Sequence, residues 1–161
     1  MGRLIDRKEL LALRETWRAN GEQVVFTNGC FDLVHAGHLA LLRTARAFGD
    51  RLIVGINDDE SVTRLKGEGR PLLSFGDRAE LLAALQPVDF VIGFSSDTPL
   101  ALIEALVPDV IVKGGDYTID TVVGAETVQR AGGRVEIVPL VAGRSTSDLI
   151  TRIVRHYGHA D

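Results

Sequence analysis

Gln23-Val-Val-Phe-Thr-Asn-Gly-Cys-Phe-Asp-Leu-Val-His-Ala-Gly-His38 joins two kinds of sequence. Residues 23–28 form an apolar run of strand type, closed by Asn28-Gly29. From residue 37 to 48 the spacing becomes helical, through Leu39, Leu42 and Ala45, and stops at Gly49. A strand that is apolar on both sides and runs into a helix is the first half of a β-α-β unit.

The unit recurs along the chain. Residues 51–57, 89–94, 109–113 and 134–138 read as further strands, with cores such as Leu52-Ile-Val54 and Val110-Ile-Val112. Between them the pattern predicts a short helix opening at Asp58, a Ser74-capped helix to about residue 85, and helices over 99–106 and 122–131. Residues 66–74 carry the glycines and proline of a loop. Ser145 and Asp148 form a capping box for a last helix over 146–156. Ahead of the first strand, Asp6 to Glu9 reads as another box, followed by the stripe Leu10, Leu11, Leu13 and Trp17. Alternating strands and helices predict a doubly wound, Rossmann-like α/β fold. The expected sheet is five-stranded and parallel, in order 3-2-1-4-5, with strand 1 at residues 23–28. One domain should span residues 1–161, with the helix of residues 1–21 packed on it.

Composition narrows the function. The 161 residues are 45% hydrophobic and 25% charged, which excludes whole-chain disorder and coiled coil. A net charge of −4 disfavours a broad nucleic-acid face but leaves room for a small anionic ligand. The one cysteine, Cys30, excludes an internal disulfide and fits a reducing compartment. The charged first ten residues and the absence of about 18 uninterrupted apolar residues point to the cytoplasm and away from a membrane.

Ligands of open α/β sheets bind outside the carboxyl ends of the strands, where the strand order reverses. That point is expected between the first and fourth strands. Two polar, glycine-rich stretches end there: Asn28 through His38, and Lys113-Gly-Gly-Asp-Tyr117. The first opens a helix, whose free N–H groups and partial positive charge suit phosphate. His35 and His38, three residues apart, can lean toward one spot, and Gly29 and Gly37 allow close approach. An imidazole pair beside N–H donors suits the charge that builds on a phosphoryl group under attack. A metal pair lacking further ligands, or two plain helix-cap histidines, are the competing readings. Cys30 reads as a small packing residue, since nothing here requires a thiolate. No G-x-G-x-x-G, P-loop, G-x-S-x-G or H-E-x-x-H is present, which disfavours a dehydrogenase, a P-loop NTPase and an α/β-hydrolase.

Gly29-Cys-Phe-Asp-Leu-Val-His-Ala-Gly-His38 resembles the G-x-F-D-x-x-H-x-G-H signature of the nucleotidylyltransferase superfamily. Arg144-Ser-Thr-Ser147 resembles its second signature, with serine where a second threonine is common. Thr27-Asn-Gly-Cys-Phe-Asp32, Arg51-Leu-Ile-Val-Gly-Ile-Asn57, Arg78-Ala-Glu-Leu-Leu82 and Lys113-Gly-Gly-Asp-Tyr117 resemble the branch of adenylyltransferases that make ADP-heptose. Many members of that branch are fused to a sugar kinase; this chain resembles the stand-alone form. The resemblance implies attack of D-glycero-β-D-manno-heptose 1-phosphate on the α-phosphate of ATP. ADP-heptose, for lipopolysaccharide or another surface glycan, and pyrophosphate would result.

The resemblance also implies roles. His35, His38 and the loop residue Lys66 would be catalytic, gripping phosphates, with Mg²⁺ carried by the triphosphate and no protein metal site. Asn28, Gly29, Cys30, Phe31, Asp32, Gly37, Lys113, Gly114, Arg144, Ser145 and Thr146 would bind the nucleotide. Arg78, Gly115 and Asp116 would bind the sugar phosphate. Lys66 and Arg78 also read as a solvated lysine and a surface ion pair, and Ser145 as a plain cap. A cytidylyltransferase, or another enzyme acting on a sugar or polyol phosphate, is the alternative. A nucleotide-binding module without turnover is a rival of another class. Small molecules are the expected partners, with no nucleic acid and no membrane. A homo-oligomer, dimer or larger, is expected by analogy.

Overall fold

In a computed structural model, which describes residues 2–115, 117–139, 141 and 143–158, the strands are all parallel and form one sheet. The elements run β1 (Arg3–Leu4), α1 (Arg7–Ala19), β2 (Val24–Gly29), α2 (Ala36–Arg46), β3 (Arg51–Asn57), α3 (Asp59–Lys66), α4 (Phe75–Ala84), β4 (Phe90–Phe94), α5 (Leu100–Leu106), β5 (Val110–Gly114), a 3₁₀ turn (Ile119–Thr121), α6 (Ala125–Arg130), β6 (Arg134–Val138) and α7 (Thr146–Tyr157).

The Rossmann-like α/β class holds, but the expected sheet needs correction. It has six strands, not five, in the order β1-β4-β3-β2-β5-β6: the expected strands 1 to 5 are β2 to β6, they keep their 3-2-1-4-5 order, and β1 is added at the edge. The additional strand is Arg3–Leu4, paired with Phe90 and Val91 at the edge. Two residues beside charged neighbours carry no alternation to read. Their extended form comes from hydrogen bonds across the edge, Arg3 N–H to the Asp89 carbonyl (3.2 Å) and Ile5 N–H to that of Val91 (2.9 Å). The helix expected over 122–131 is shorter, Ala125–Arg130, and is preceded by the 3₁₀ turn.

Alternate residues of each strand enter opposite cores. Val24, Phe26, Ile53, Ile92 and Ile111 meet Leu10 and Trp17 of α1, Leu102, Ile103 and Leu106 of α5, and Val128 of α6. Val25, Leu52, Val54, Val91 and Val112 meet Leu42 and Ala45 of α2 and Ala79 and Leu82 of α4. Burial on both faces explains the continuously apolar strands.

The two ends of the sheet differ in chemistry. At the amino ends, side-chain carboxylates stitch neighbours together: Asp89 accepts from Leu52 N–H and Asp109 from Val24 N–H, each at 2.7 Å. Buried Arg14 of α1 donates to the carbonyls of Leu106 and Val107 and pairs with Asp109 at 3.2 Å. Polar groups here are mutually satisfied. At the carboxyl ends β2 pairs with β3 through Gly29, but with β5 only at Val25 and Phe26. The ladder between β2 and β5 thus ends before Asn28, and a crevice opens there.

Candidate functional site

The crevice has a volume of about 540 Å³ and is lined by the ends of β2, β3 and β5 and the starts of α2 and α7. A second hollow, about 340 Å³, lies beside Leu4 and Ala79; Glu80 is its one charged lining residue. It offers no cation to an anionic ligand, so the crevice is the candidate site.

The turn after β2 is tight. Phe31 adopts φ +48°, in the left-handed region, and its ring lies where a side chain at position 29 would meet it at 3.1 Å. A larger residue at 29 would press on that ring. The ring of Phe31 in turn packs 5.0 Å from that of His38.

His35 is the N-cap of α2 and forms a reciprocal capping box with His38. Its Nδ1 accepts from Gly37 N–H (3.1 Å) and His38 N–H (3.4 Å), while His38 Nδ1 accepts from His35 N–H (3.3 Å). The rings stack with centroids 3.8 Å apart. Because both Nδ1 atoms accept, each neutral ring carries its proton on Nε2. Burial, and then the neighbouring His35, push His38 down to about 4; burial and then Arg144 lower His35 as well. The pair is thus neutral at pH 7 and offers two Nε2–H donors. The cap reading and the phosphate reading of these histidines coexist: Nδ1 caps, and Nε2 is free to donate.

Cations surround them. Lys66 at the end of α3, Arg70, Lys113 and Arg144 all line the crevice. Lys113 is half-buried; its ammonium lies 3.5 Å from the Asn28 carbonyl and 5.7 Å from the Tyr117 ring centroid. Burial lowers its pKa. A lysine so placed gains from an anion arriving beside it. Helix α7 begins at the same crevice, with Ser145 as N-cap accepting from Asp148 N–H and the Thr146 hydroxyl donating to the Leu33 carbonyl. A side chain at Gly37 would meet the His35 ring at 3.0 Å and Arg144 Cβ at 3.2 Å, so the starts of α2 and α7 are in contact there. Two helix N-termini facing one space make an anion site.

The structure brings together Asn28, Gly29, Cys30, Phe31, Asp32, His35, Gly37, His38, Lys66, Lys113, Gly114, Arg144, Ser145 and Thr146. Arg78 stands apart. Its guanidinium is fully buried, donates to the carbonyls of Cys30 (2.6 Å), Asn57 (2.9 Å) and Leu73 (3.1 Å), and pairs with Asp59 at 2.6 Å. It braces three segments behind the site instead of facing a ligand. Gly115 donates its N–H to the Val138 carbonyl and is not among the lining residues. Asp116 lies outside the described residues. Asn57, Leu65, Arg70, Asp97 and Tyr117 line the crevice beyond the expected set. Asn57 had a signal: like Asn28 it ends an apolar strand with an amide. Asp97 had none, since it follows β4 in a loop.

Among the described residues no group of three or more His, Cys, Asp or Glu could hold a metal ion. The two crevice carboxylates are engaged, Asp32 with Arg70 and Asp97 with Arg64. No helix among the described residues is long and apolar enough to cross a membrane.

Comparisons with known proteins agree with this architecture. The family model for cytidylyltransferase-like proteins matches residues 26–152. The bifunctional protein HldE of Mesorhizobium japonicum is 57% identical over 150 residues, covering 93% of this chain and 30% of that protein. HldE of Geobacter sulfurreducens is 57% identical over 141 residues, covering 88% and 29%. The chain thus spans about a third of the length of the curated relatives it matches. Among solved structures, a lipopolysaccharide core biosynthesis protein from Thermoplasma volcanium superposes with a TM-score of 0.60 at 28% identity, covering 75% of this chain and 98% of that one. A pantoate-beta-alanine ligase from Francisella tularensis, 13% identical with a TM-score of 0.58, covers 100% of this chain and 80% of that one and shares the fold.

Proposed function

The chain belongs to the cytidylyltransferase-like family, and on that premise we propose that it transfers the adenylyl group of ATP to D-glycero-β-D-manno-heptose 1-phosphate. The products are ADP-heptose and pyrophosphate. The observation that carries the reading is the stacked, neutral histidine pair at the start of α2, surrounded by Lys66, Arg70, Lys113 and Arg144. The likeness to HldE over most of the chain, together with the Lys113-Gly-Gly-Asp-Tyr117 stretch, supports adenylyl over cytidylyl transfer.

A sugar phosphate is already a nucleophile at neutral pH, so the site needs no strong base and no covalent intermediate. One of its oxygens attacks the α-phosphorus, a new P–O bond forms, and the bond to the bridging oxygen of pyrophosphate breaks. Charge spreads over the α-phosphate oxygens during the exchange. His35 and His38 donate Nε2–H to those oxygens, and the N-termini of α2 and α7 face the phosphates. Lys66 and Lys113 offset the charge on the leaving pyrophosphate and the incoming phosphate. Such stabilisation is effective because the donors are already oriented by the capping box. Mg²⁺ enters with the triphosphate as part of the substrate, where it neutralises phosphate charge. Binding roles are proposed for Asn28, Gly29, Gly37, Gly114, Arg144, Ser145 and Thr146 at the nucleotide, and for Asp116 at the sugar.

Residues 1–161 act in this reading as one cytoplasmic nucleotidylyltransferase domain. The exposed apolar side chains of α7, Ile153, Val154 and Tyr157, support a homo-oligomer. Pyrophosphate release should be measured with ATP, CTP, GTP and UTP against a panel of sugar and polyol phosphates. Release is expected from ATP with the heptose 1-phosphate. Preference for CTP, or for another acceptor, would overturn the corresponding half of the assignment.

A further inference from the structure

Among the described residues that line the crevice, Asp32 is the one buried carboxylate, and its oxygens are turned to Arg70 and the amides of residues 72 and 73. Its side chain is 1% exposed. It accepts from the Arg70 guanidinium, from Leu72 N–H (2.7 Å) and from Leu73 N–H (3.1 Å). Burial opposes its charge, but Arg70 and the two amides outweigh burial and hold the carboxyl below its ordinary range. Three donors converging on one buried carboxylate make a strong tether.

The tethered segment is the far end of the loop that follows Lys66. Lys66 closes α3, and Gly67 and Gly69 then take φ +93° and +80°, with open space around both. The Thr63 hydroxyl donates to the Arg70 carbonyl at 2.6 Å. Only residues 67–69 separate Lys66 from the anchor at Arg70. At about 3.4 Å per residue, that tether restricts how far the end of α3 can move from the crevice. Asp32 itself lies three residues before His35, at the root of the histidine loop.

We propose that Asp32 is a positioning residue: acting through Arg70, it holds the Lys66 loop against the histidine loop, so that the ammonium and the imidazoles close on the same phosphates. The proposal rests on the reading of Lys66 as a phosphate clamp, and goes beyond it by naming what sets the clamp.

Two measurements on the full chain test it. The first needs no substrate. Limited trypsin digestion, read by mass spectrometry, follows cleavage between Lys66 and Gly67. Asp32→Asn and Arg70→Ala should each accelerate that cut by about tenfold or more while the thermal midpoint stays within a few degrees of the parent, and Arg70→Lys should recover part of the protection. Unchanged cleavage in Arg70→Ala overturns the tether. If Asp32→Asn fails to fold, Arg70→Ala, whose side chain is one-fifth exposed, decides the point.

The second is a double-mutant cycle on pyrophosphate release. Lys66→Ala should lower kcat by about 10²-fold. Arg70→Ala should lower it by about tenfold or more, yet add less than about threefold in the Lys66→Ala background. Losses that multiply would overturn action through Lys66. A parent enzyme that turns over no nucleotide would remove the proposed function, and the digestion would still decide whether Asp32 holds the loop.

Discussion

Acid should destabilise this protein through one imidazole. His38 is stacked on His35, packed against Phe31, and accepts the His35 N–H at Nδ1. Protonating Nδ1 breaks that hydrogen bond and places a cation in a half-buried setting. Burial, and then His35, lower the pKa from 6.5 to about 4. The unfolded chain therefore binds more protons than the folded one between those values. The contribution to stability is complete above pH 6.5, falls by about 1.4 kcal/mol per pH unit below it, and reaches a loss of about 3 kcal/mol near pH 4. That is a large share of the 5–15 kcal/mol typical of a domain. Carboxylates titrate over part of the same range, so a difference must be measured. Urea unfolding from pH 7.5 to 4 should be compared with His38→Gln, since glutamine at this position can keep the capping box without titrating. The variant's stability should fall by about 3 kcal/mol less across the range. In NMR the His38 ring should titrate near pH 4. Parallel stability profiles, or a ring titrating at 6.5 or above, would refute the reasoning.

Other perturbations read other parts of the structure. His38→Gln should keep the fold but lose about 10²–10³-fold in pyrophosphate release at pH 7.5, the effect expected for one missing transition-state donor; near-normal turnover would remove Nε2 from the mechanism. Gly37→Ala places a methyl 3.0 Å from the His35 ring and 3.2 Å from Arg144, so turnover should drop about tenfold or more with little change in thermal midpoint. Arg78→Met leaves the carbonyls of Cys30, Asn57 and Leu73 without their donor and should lower unfolding stability by about 3 kcal/mol, with Arg78→Lys recovering little because an ammonium lacks the guanidinium's fork. Thr27 carries a buried hydroxyl with no partner among the described residues, so Thr27→Val should stabilise the chain by about 1 kcal/mol in chemical denaturation.

Local signals carried much of this far. Asp6, Ser74 and Ser145 cap the helices that their side chains announce, because capping needs only residues three apart. The strand at residues 51–57 is legible because burial on both faces leaves a continuous apolar run. The G-x-F-D-x-x-H-x-G-H stretch carried the histidine pair, since i, i+3 spacing at a helix start allows only a small range of geometries. Arg78 was legible as a charge but not as a brace: its acceptors come from segments 21 and 48 residues away. Asp32 shows the same limit, since nothing near it in sequence announces donors about 40 residues later.

The chain's own order of residues determined the α/β class, the capped helices and the imidazole pair, because each depends on neighbours within a few positions. Only the tertiary structure decided the sixth strand and the direction in which the Asp32 and Arg78 side chains face. Those outcomes depend on hydrogen-bond partners brought together by the packed sheet, and a charged side chain goes wherever its partners lie.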